Sequence, residues 1–342
     1  MSSRFLWLGQ LLPLLGVSII CIWLSDLAIF SAWGISPLTL AIVIGIVAGN
    51  TLFARFPELW LEGIAFSKGH LLRIGIMLYG FKLTLAQVAY VGWPAFFTDV
   101  VIVAVTMVLA VKLGRRFHVN DKTAALVGAG SAVCGAAAVL AAQPVLKAQD
   151  HDVGVAVATV VVFGTLAMFV YPLLAVWILP SDASSGAWFA WGIYTGSSVH
   201  EVAQVAAAGA AVNDTVADVA VITKMIRVML LAPLLMALSW LVAGKNGQNS
   251  GRRQIAIPWF VPAFLAMVAV NSVIELPSSL HSAILNIDTL LLTMAMLALG
   301  LTTRWEAVRA AGIRPLILAG ILAVWLMIGG GVLSCAGYWL FR

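Results

Sequence analysis

The chain has 342 residues, of which 62% are hydrophobic and only 10% charged, and a mean hydropathy of +1.05; it therefore lacks the polar surface that a soluble globule of this size requires. It reads as an all-α polytopic membrane protein, one integral domain over 1–342, whose first partner is the lipid bilayer. The net charge of +5 would suit an acidic partner, but the basic residues gather in short loops, the pattern that orients membrane spans, and nucleic acid is excluded as a partner.

In chain order, stretches of about 20 apolar residues fall at 5–24, 36–53, 68–90, 93–113, 123–146, 153–179, 187–211, 216–243, 255–272, 281–302 and 315–340, about 11 spans. Arg4 precedes the first without a convincing small-residue cleavage site, so that segment is expected to be a retained anchor. Arg55 and Lys68, then Lys112, Arg115, Arg116 and Lys122, then Lys245, Arg252 and Arg253, then Arg304, Arg309 and Arg314 occupy alternate loops. The loops near Asp26, Asp214 and Glu275 lack Lys and Arg. The charge rule then puts the amino terminus in the cytoplasm and the carboxyl terminus outside a bacterial inner membrane. The loop holding Lys147, Asp150 and Asp152 is neutral evidence. Cys21, Cys134 and Cys335 each lie in apolar runs and imply no disulfide.

Two stretches, 130–142 and 196–208, are near copies at an offset of 66, sharing Gly130 with Gly196, Ser131 with Ser197 and Val133 with Val199. Both interrupt apolar segments, and paired interruptions of this kind point to the substrate site of a secondary transporter. A second echo relates 71–84 to 291–304, Gly80 matching Gly300, and the span count makes that pair antiparallel, an inverted repeat. The same count makes the two Gly-Ser motifs parallel. Either that pair is convergent or one segment is re-entrant. The core is expected around 120–235 and in parts of 281–340.

Ionisable residues inside spans are costly and are functional candidates. Lys82 and Asp99 are equidistant from a turn expected near Val91, which predicts a structural ion pair at one depth. His200 and Glu201 precede the turn near Asn213 by about as many residues as Lys224 and Arg227 follow it, which puts all four roughly 15–20 Å inward. Lys224 and Arg227 share a helical face. If Glu201 satisfies one of them, a net positive site remains for an anion; if Glu201 and Asp218 balance both, the cluster is neutral. Ser198 followed by Glu201 fits a capping box, and Ser131 fits the cap of the other copy; helix starts at mid-depth would present free N–H groups to an anion. His200 suits proton coupling. Cys134 matches His200 and reads as a small filler. The string HEVAQ at 200–204 begins like a zinc-protease motif, but Gln204 stands where the second histidine is required, so neither a metal, a cofactor nor an enzymatic activity is expected.

The segments 128–148, 156–165, 196–209, 224–233 and 294–303 together resemble the YeiH family of bacterial inner-membrane proteins, classed as sulfate exporters. The resemblance spans nearly the whole chain. It implies membership of the cation-proton antiporter and anion transporter superfamily, with inverted repeats, two crossed broken helices and an elevator-like motion of a core against a scaffold. Some members carry a carboxylate where this chain has Gln143. The expectation is a secondary transporter exporting a small anionic substrate, sulfate or a sulfonate, coupled to a proton or ion; the alternatives are a cation/proton antiporter on the same scaffold or an anion channel. A homodimer is compatible with it. The expected substrate site comprises Ser131, Cys134, Gly135, Ser197, Ser198, His200, Glu201, Gln204, Lys224 and Arg227.

Overall fold

A computed structural model describes residues 6–27, 36–51, 61–180, 183–246 and 259–340. Arg4, Arg55, Arg252 and Arg253, invoked above for the amino-terminal anchor and the charge rule, lie outside those residues. Every regular element described is helical: α1 (Leu6–Ser25), α2 (Pro37–Asn50), α3 (Leu61–Phe66), a π-helical turn (Ser67–Leu71), α4 (Leu72–Tyr79), a 3₁₀ turn (Gly80–Lys82), α5 (Leu85–Arg116), α6 (Asp121–Ala132), α7 (Ala136–Leu146), α8 (Asp150–Ile178), α9 (Ser185–Ser198), α10 (Val202–Ala210), α11 (Asp214–Met229), α12 (Leu231–Asn246), α13 (Phe260–Val273), α14 (Ser278–Thr302), α15 (Trp305–Ala311) and α16 (Ile313–Leu340).

The turn expected near Val91 is a correction. The chain turns at Leu83 and Thr84, where Thr84 and Gln87 form a capping box that starts α5, and α5 runs unbroken through Gly92 and Pro94 for 32 residues. A satisfied cap defines a helix start better than an interior proline, which membrane helices tolerate.

Two predicted spans do not cross at all. At the end of α6, Gly135 takes φ +73°, a left-handed conformation that glycine adopts freely, and its N–H bonds Gly130 O at 3.0 Å. The chain then doubles back. A Cβ on Gly130 would meet Val139 of α7 at 2.8 Å, and Lys122 Nζ, at the start of α6, reaches Lys147 O, just past α7, at 2.6 Å. Residues 121–146 are thus a re-entrant hairpin whose two ends lie on one side. The second motif does the same. Gly192 packs on Val216 and Val219, while Gly196 packs on Ala220 and Thr223, so α9 runs parallel to α11. Gly209 meets Ala217 across the turn between α10 and α11, so α10 runs against α11 and therefore against α9. Small residues let these backbones approach closely. Only α8 crosses between the hairpins, so they enter from opposite ends and the motifs are inverted. The expected pair of crossed broken helices is corrected to two facing hairpins, and the parallel-motif difficulty disappears.

The antiparallel relation of 71–84 and 291–304 holds: α4 and α14 run in opposite directions, joined where Gly75 meets Leu292. With the hairpins folded back, the loop at Lys147 lies at the same end as Arg115, Arg116 and Lys122, and the lysine that was neutral evidence joins the basic end. Asp214 and Glu275 lie at the other.

The helices form two bodies. The scaffold comprises α1–α4, α13 and α14, fastened where Gly45 and Gly300 meet, where Gly80 meets Phe264 and Val268, and where Asn50 Nδ2 donates to Thr303 O at 2.8 Å. The core comprises α5–α12 and α16, and α15 packs on α8 as it links α14 to α16. Between them, α10 touches α2 and α14 only sparsely.

Candidate functional site

The two hairpins meet tip to tip at mid-depth. A helix that ends inside the membrane leaves its last carbonyls without N–H partners and concentrates a partial negative charge there. Here α6 and α9 both end so. Lys224 and Arg227, one turn apart on α11 and 0% exposed, supply the missing donors. Lys224 Nζ donates to Val133 O at 2.6 Å and Val199 O at 2.7 Å. Arg227 donates through Nε to Ala132 O at 2.6 Å, through one terminal nitrogen to Val199 O at 3.2 Å, and through the other to Ser131 O. The two cations thus tie one hairpin to the other.

At the opposite pole of each tip a helix begins. The N-termini of α7 and α10 carry partial positive charge and free N–H groups. Glu201 is the N-cap of α10, and its own N–H donates to Gln204 Oε1 at 3.2 Å. Its carboxylate also takes the Ala136 N–H at the start of α7, and its side chain lies against Gly135, where an added Cβ would meet Glu201 Cγ at 2.6 Å. One acid therefore serves both helix starts. Unlike the cations it is partly exposed.

This geometry corrects the predicted caps. Ser198 is the last residue of α9, not the cap of α10, and its hydroxyl donates back to Tyr194 O; Ser197 Oγ does the same at 3.3 Å. Ser131 sits in the last turn of α6, and its hydroxyl has no partner among the described residues. A serine hydroxyl in a helix's last turn can bond the carbonyl a turn back, and that leaves the cap position to the residue after the break. The predicted pair of Lys82 and Asp99 is also corrected: Lys82 Nζ bonds Asp214 at 3.1 Å. Asp99, 0% exposed, has no hydrogen-bond partner on either oxygen among the described residues and lies in the field of Arg227 and then Lys224. With α5 starting at Leu85, Asp99 sits about 21 Å along the helix, at the depth of the hairpin tips. Asp218, the other candidate counter-charge, instead accepts from Tyr79 O–H at 3.0 Å.

The ten residues singled out from the sequence all gather at the tips. His200, 2% exposed, lies in the second turn with Nδ1 unpartnered among the described residues, and Cys134 is buried in the first. Gln204 Nε2 reaches Thr165 Oγ1 at 3.4 Å on α8. Gln143 lies at the basic end, bonded to Asp150 at 2.9 Å, away from the tips. Tyr171, stacked on Tyr194 at 4.6 Å, and Asp99 were not assigned here from sequence; only Asp99 carried a signal, as an acid inside a span. The formal charges at the tips balance, two cations against Glu201 and Asp99.

Two cavities open between the bodies from opposite ends. One, about 260 Å³, is walled by Lys68, Val157, Val161 and Thr302 at the basic end; Lys68 is the charge that acts first on Glu201. The other, about 160 Å³, lies at the acidic end against Ala206 and Ala210 of α10.

The family described as Conserved hypothetical protein 698 matches residues 9–319. The chain is 44% identical over 346 residues to the UPF0324 inner membrane protein YeiH of Escherichia coli K12, covering 97% of this chain and 95% of that one. It belongs to the YeiH family. Another relative, UPF0324 membrane protein PA5383 of Pseudomonas aeruginosa, is 49% identical over 310 residues, 88% of this chain and 86% of the relative; a third, PM1461 of Pasteurella multocida, is 47% identical over 301 residues, 86% of this chain and 87% of the relative. No solved structure matches the chain. Among the described residues, five helices are long and apolar enough to cross a membrane, in keeping with a family of membrane proteins.

Proposed function

We propose that this protein is a secondary transporter in which the core slides against the scaffold and carries a small anion, of the sulfate or sulfonate class, past the hairpin tips. One observation carries the reading: two helix N-termini meet at mid-depth on a single, partly exposed carboxylate, between cavities that open to opposite ends. Peptide N–H groups at helix starts hold oxyanions. Glu201 occupies that position as a tethered anion, so a substrate anion and an ionised Glu201 compete for the same donors. Protonation of Glu201 frees them, which couples one proton to each anion and keeps the buried set from gaining negative charge. Lys224 and Arg227 act by holding the tips together, and His200 stands next to the exchange.

A second reading, a cation/proton antiporter with Glu201 as the cation ligand, is favoured by the balance of formal charges at the tips and by the commitment of both cations to carbonyls. In proteoliposomes, the anion reading expects sulfate or sulfonate counterflow that saturates, with Glu201→Gln retaining exchange but losing its dependence on a pH gradient. Sodium- or potassium-driven proton flux with no anion movement would replace it with the second reading.

A further inference from the structure

At the acidic end the scaffold contributes Tyr79, Lys82 and Asp288 to the smaller cavity, and the core contributes Ala206 and Ala210. Polar contacts cross between the bodies here: Lys82 bonds Asp214 at 3.1 Å, and Tyr79 O–H donates to Asp218 at 3.0 Å. Two of three neighbouring carboxylates are thereby satisfied. The third, Asp288, is 4% exposed and its Oδ1 has no partner among the described residues. An unpaired carboxylate this deeply buried is costly unless something neutralises it.

We propose that this cavity is a proton-exchange site in which Asp288 takes up and releases a proton to the solution at the acidic end. A proton fits better than a metal cation. It needs one oxygen, whereas among the described residues no three His, Cys, Asp or Glu side chains come together as ligands, and the Lys82 ammonium already lines the wall. Among the described residues, Lys82 is also the charge that acts on Asp288. Of the elements around it, α11 brings Asp214 and Asp218, the turn after α4 brings Lys82, α4 brings Tyr79, and α10 and α2 bring no ionisable group. His281, on Asp288's own helix, is engaged with Phe81 O at 3.0 Å. Glu62, Lys68 and Arg73 lie about two and a half turns or more from Lys82 toward the opposite end.

The placement links exchange to movement. Glu201 precedes Ala206 by five residues on α10, so a slide of about 7.5 Å toward the acidic end brings Glu201 to the depth of Asp288, on a helix face about 140° from the one that Ala206 presents to the cavity. The same slide parts Lys82 from Asp214 and leaves Asp288 as its partner. Proton release to the solution breaks the Asp288 carboxyl O–H, and the new Asp288 carboxylate then pairs with Lys82. The link to a moving core rests on the reading given above; exchange at Asp288 does not.

The test is infrared difference spectroscopy of the purified full chain in nanodiscs, titrated from about pH 5 to about pH 9, following the C=O stretch of protonated carboxyl groups. Asp288→Asn is expected to remove one titrating band and Asp288→Glu to move it in frequency while keeping it; the second variant guards against a folding defect in the first. Asp214→Asn, which frees Lys82 to act on Asp288, is expected to shift that band's midpoint down by about one pH unit, a tenfold change in proton affinity, which a merely structural role would not produce. Bands unchanged by Asp288→Asn overturn the proposal, as does a midpoint unmoved in Asp214→Asn. A band lost in Asp288→Asn and kept in Glu201→Gln supports the cavity even where no flux depends on Glu201, so the two readings fail separately.

Discussion

Replacing Arg227 by Gln tests the central arrangement, because the guanidinium is the side-chain donor for Ser131 O and Ala132 O and shares Val199 O with Lys224. A buried carbonyl left without its partner costs about 1–3 kcal/mol, and the change also strips a charge that acts on Asp99. Two orphaned carbonyls and one weakened bond amount to a loss on the order of 3 kcal/mol. Gln is too short and has one N–H₂ group, so it restores at most one bond. Arg227→Lys keeps the charge but presents a single nitrogen in place of a three-nitrogen fork, and is expected to recover less than half of the loss. The assay is thermal unfolding in detergent, at roughly 2 °C or more per kcal/mol, beside Ser131→Ala, whose hydroxyl has no partner among the described residues and which is expected to unfold with wild type. An Arg227→Gln variant that unfolds within about 1 °C of wild type would refute the view that this residue clamps the hairpins and would return it to the role of an open substrate ligand.

Gly135→Ala is expected to cost about 1–3 kcal/mol for the positive-φ backbone alone and to push Glu201 off its seat, so that affinity for a transported ion falls more than stability does; isothermal binding with thermal unfolding on one preparation reads both. Lys82→Met removes a bridge whose partner is 89% exposed, and its unfolding temperature should correspond to a change of about 0.5 kcal/mol or less; a large loss would restore the buried pairing with Asp99. In a background with Cys335, the one exposed cysteine among the three, replaced by Ser, single cysteines at Asp121, Asp150 and Glu275 should divide by side: the first two react with an impermeant maleimide from the cytoplasmic face and the third from the other. Labelling of Asp121 and Asp150 positions from opposite faces would sink the re-entrant hairpin.

The locations of the breaks were legible because Gly-Ser interruptions in apolar runs have few other uses at bilayer depth, and the near copy at 196–208 marked them twice. Span limits at 123–146 and 187–211 agree closely with the paired helices 121–146 and 185–210, yet each pair folds back instead of crossing. Hydropathy records how many residues are apolar, and a hairpin of two half-length helices has the same apolar count as one crossing helix. Lys147 carried the missing signal, a basic residue whose two neighbouring carboxylates make its loop read as neutral.

What the amino-acid string determined by itself was therefore local and additive: membrane residence, the helix-forming runs, the basic and acidic ends, and the ten residues that gather at the tips. What only the tertiary structure decided was pairing. Lys224 and Arg227 bond backbone carbonyls, which every residue possesses and no sequence pattern advertises; Asp99 faces them because α5 starts at Leu85 and packs on α11; Lys82 meets Asp214 because scaffold and core abut there. Chain order constrains which groups share a helix face, but the partner of a buried charge depends on which helices lie beside each other, and that is settled by the packing of small residues over the whole molecule.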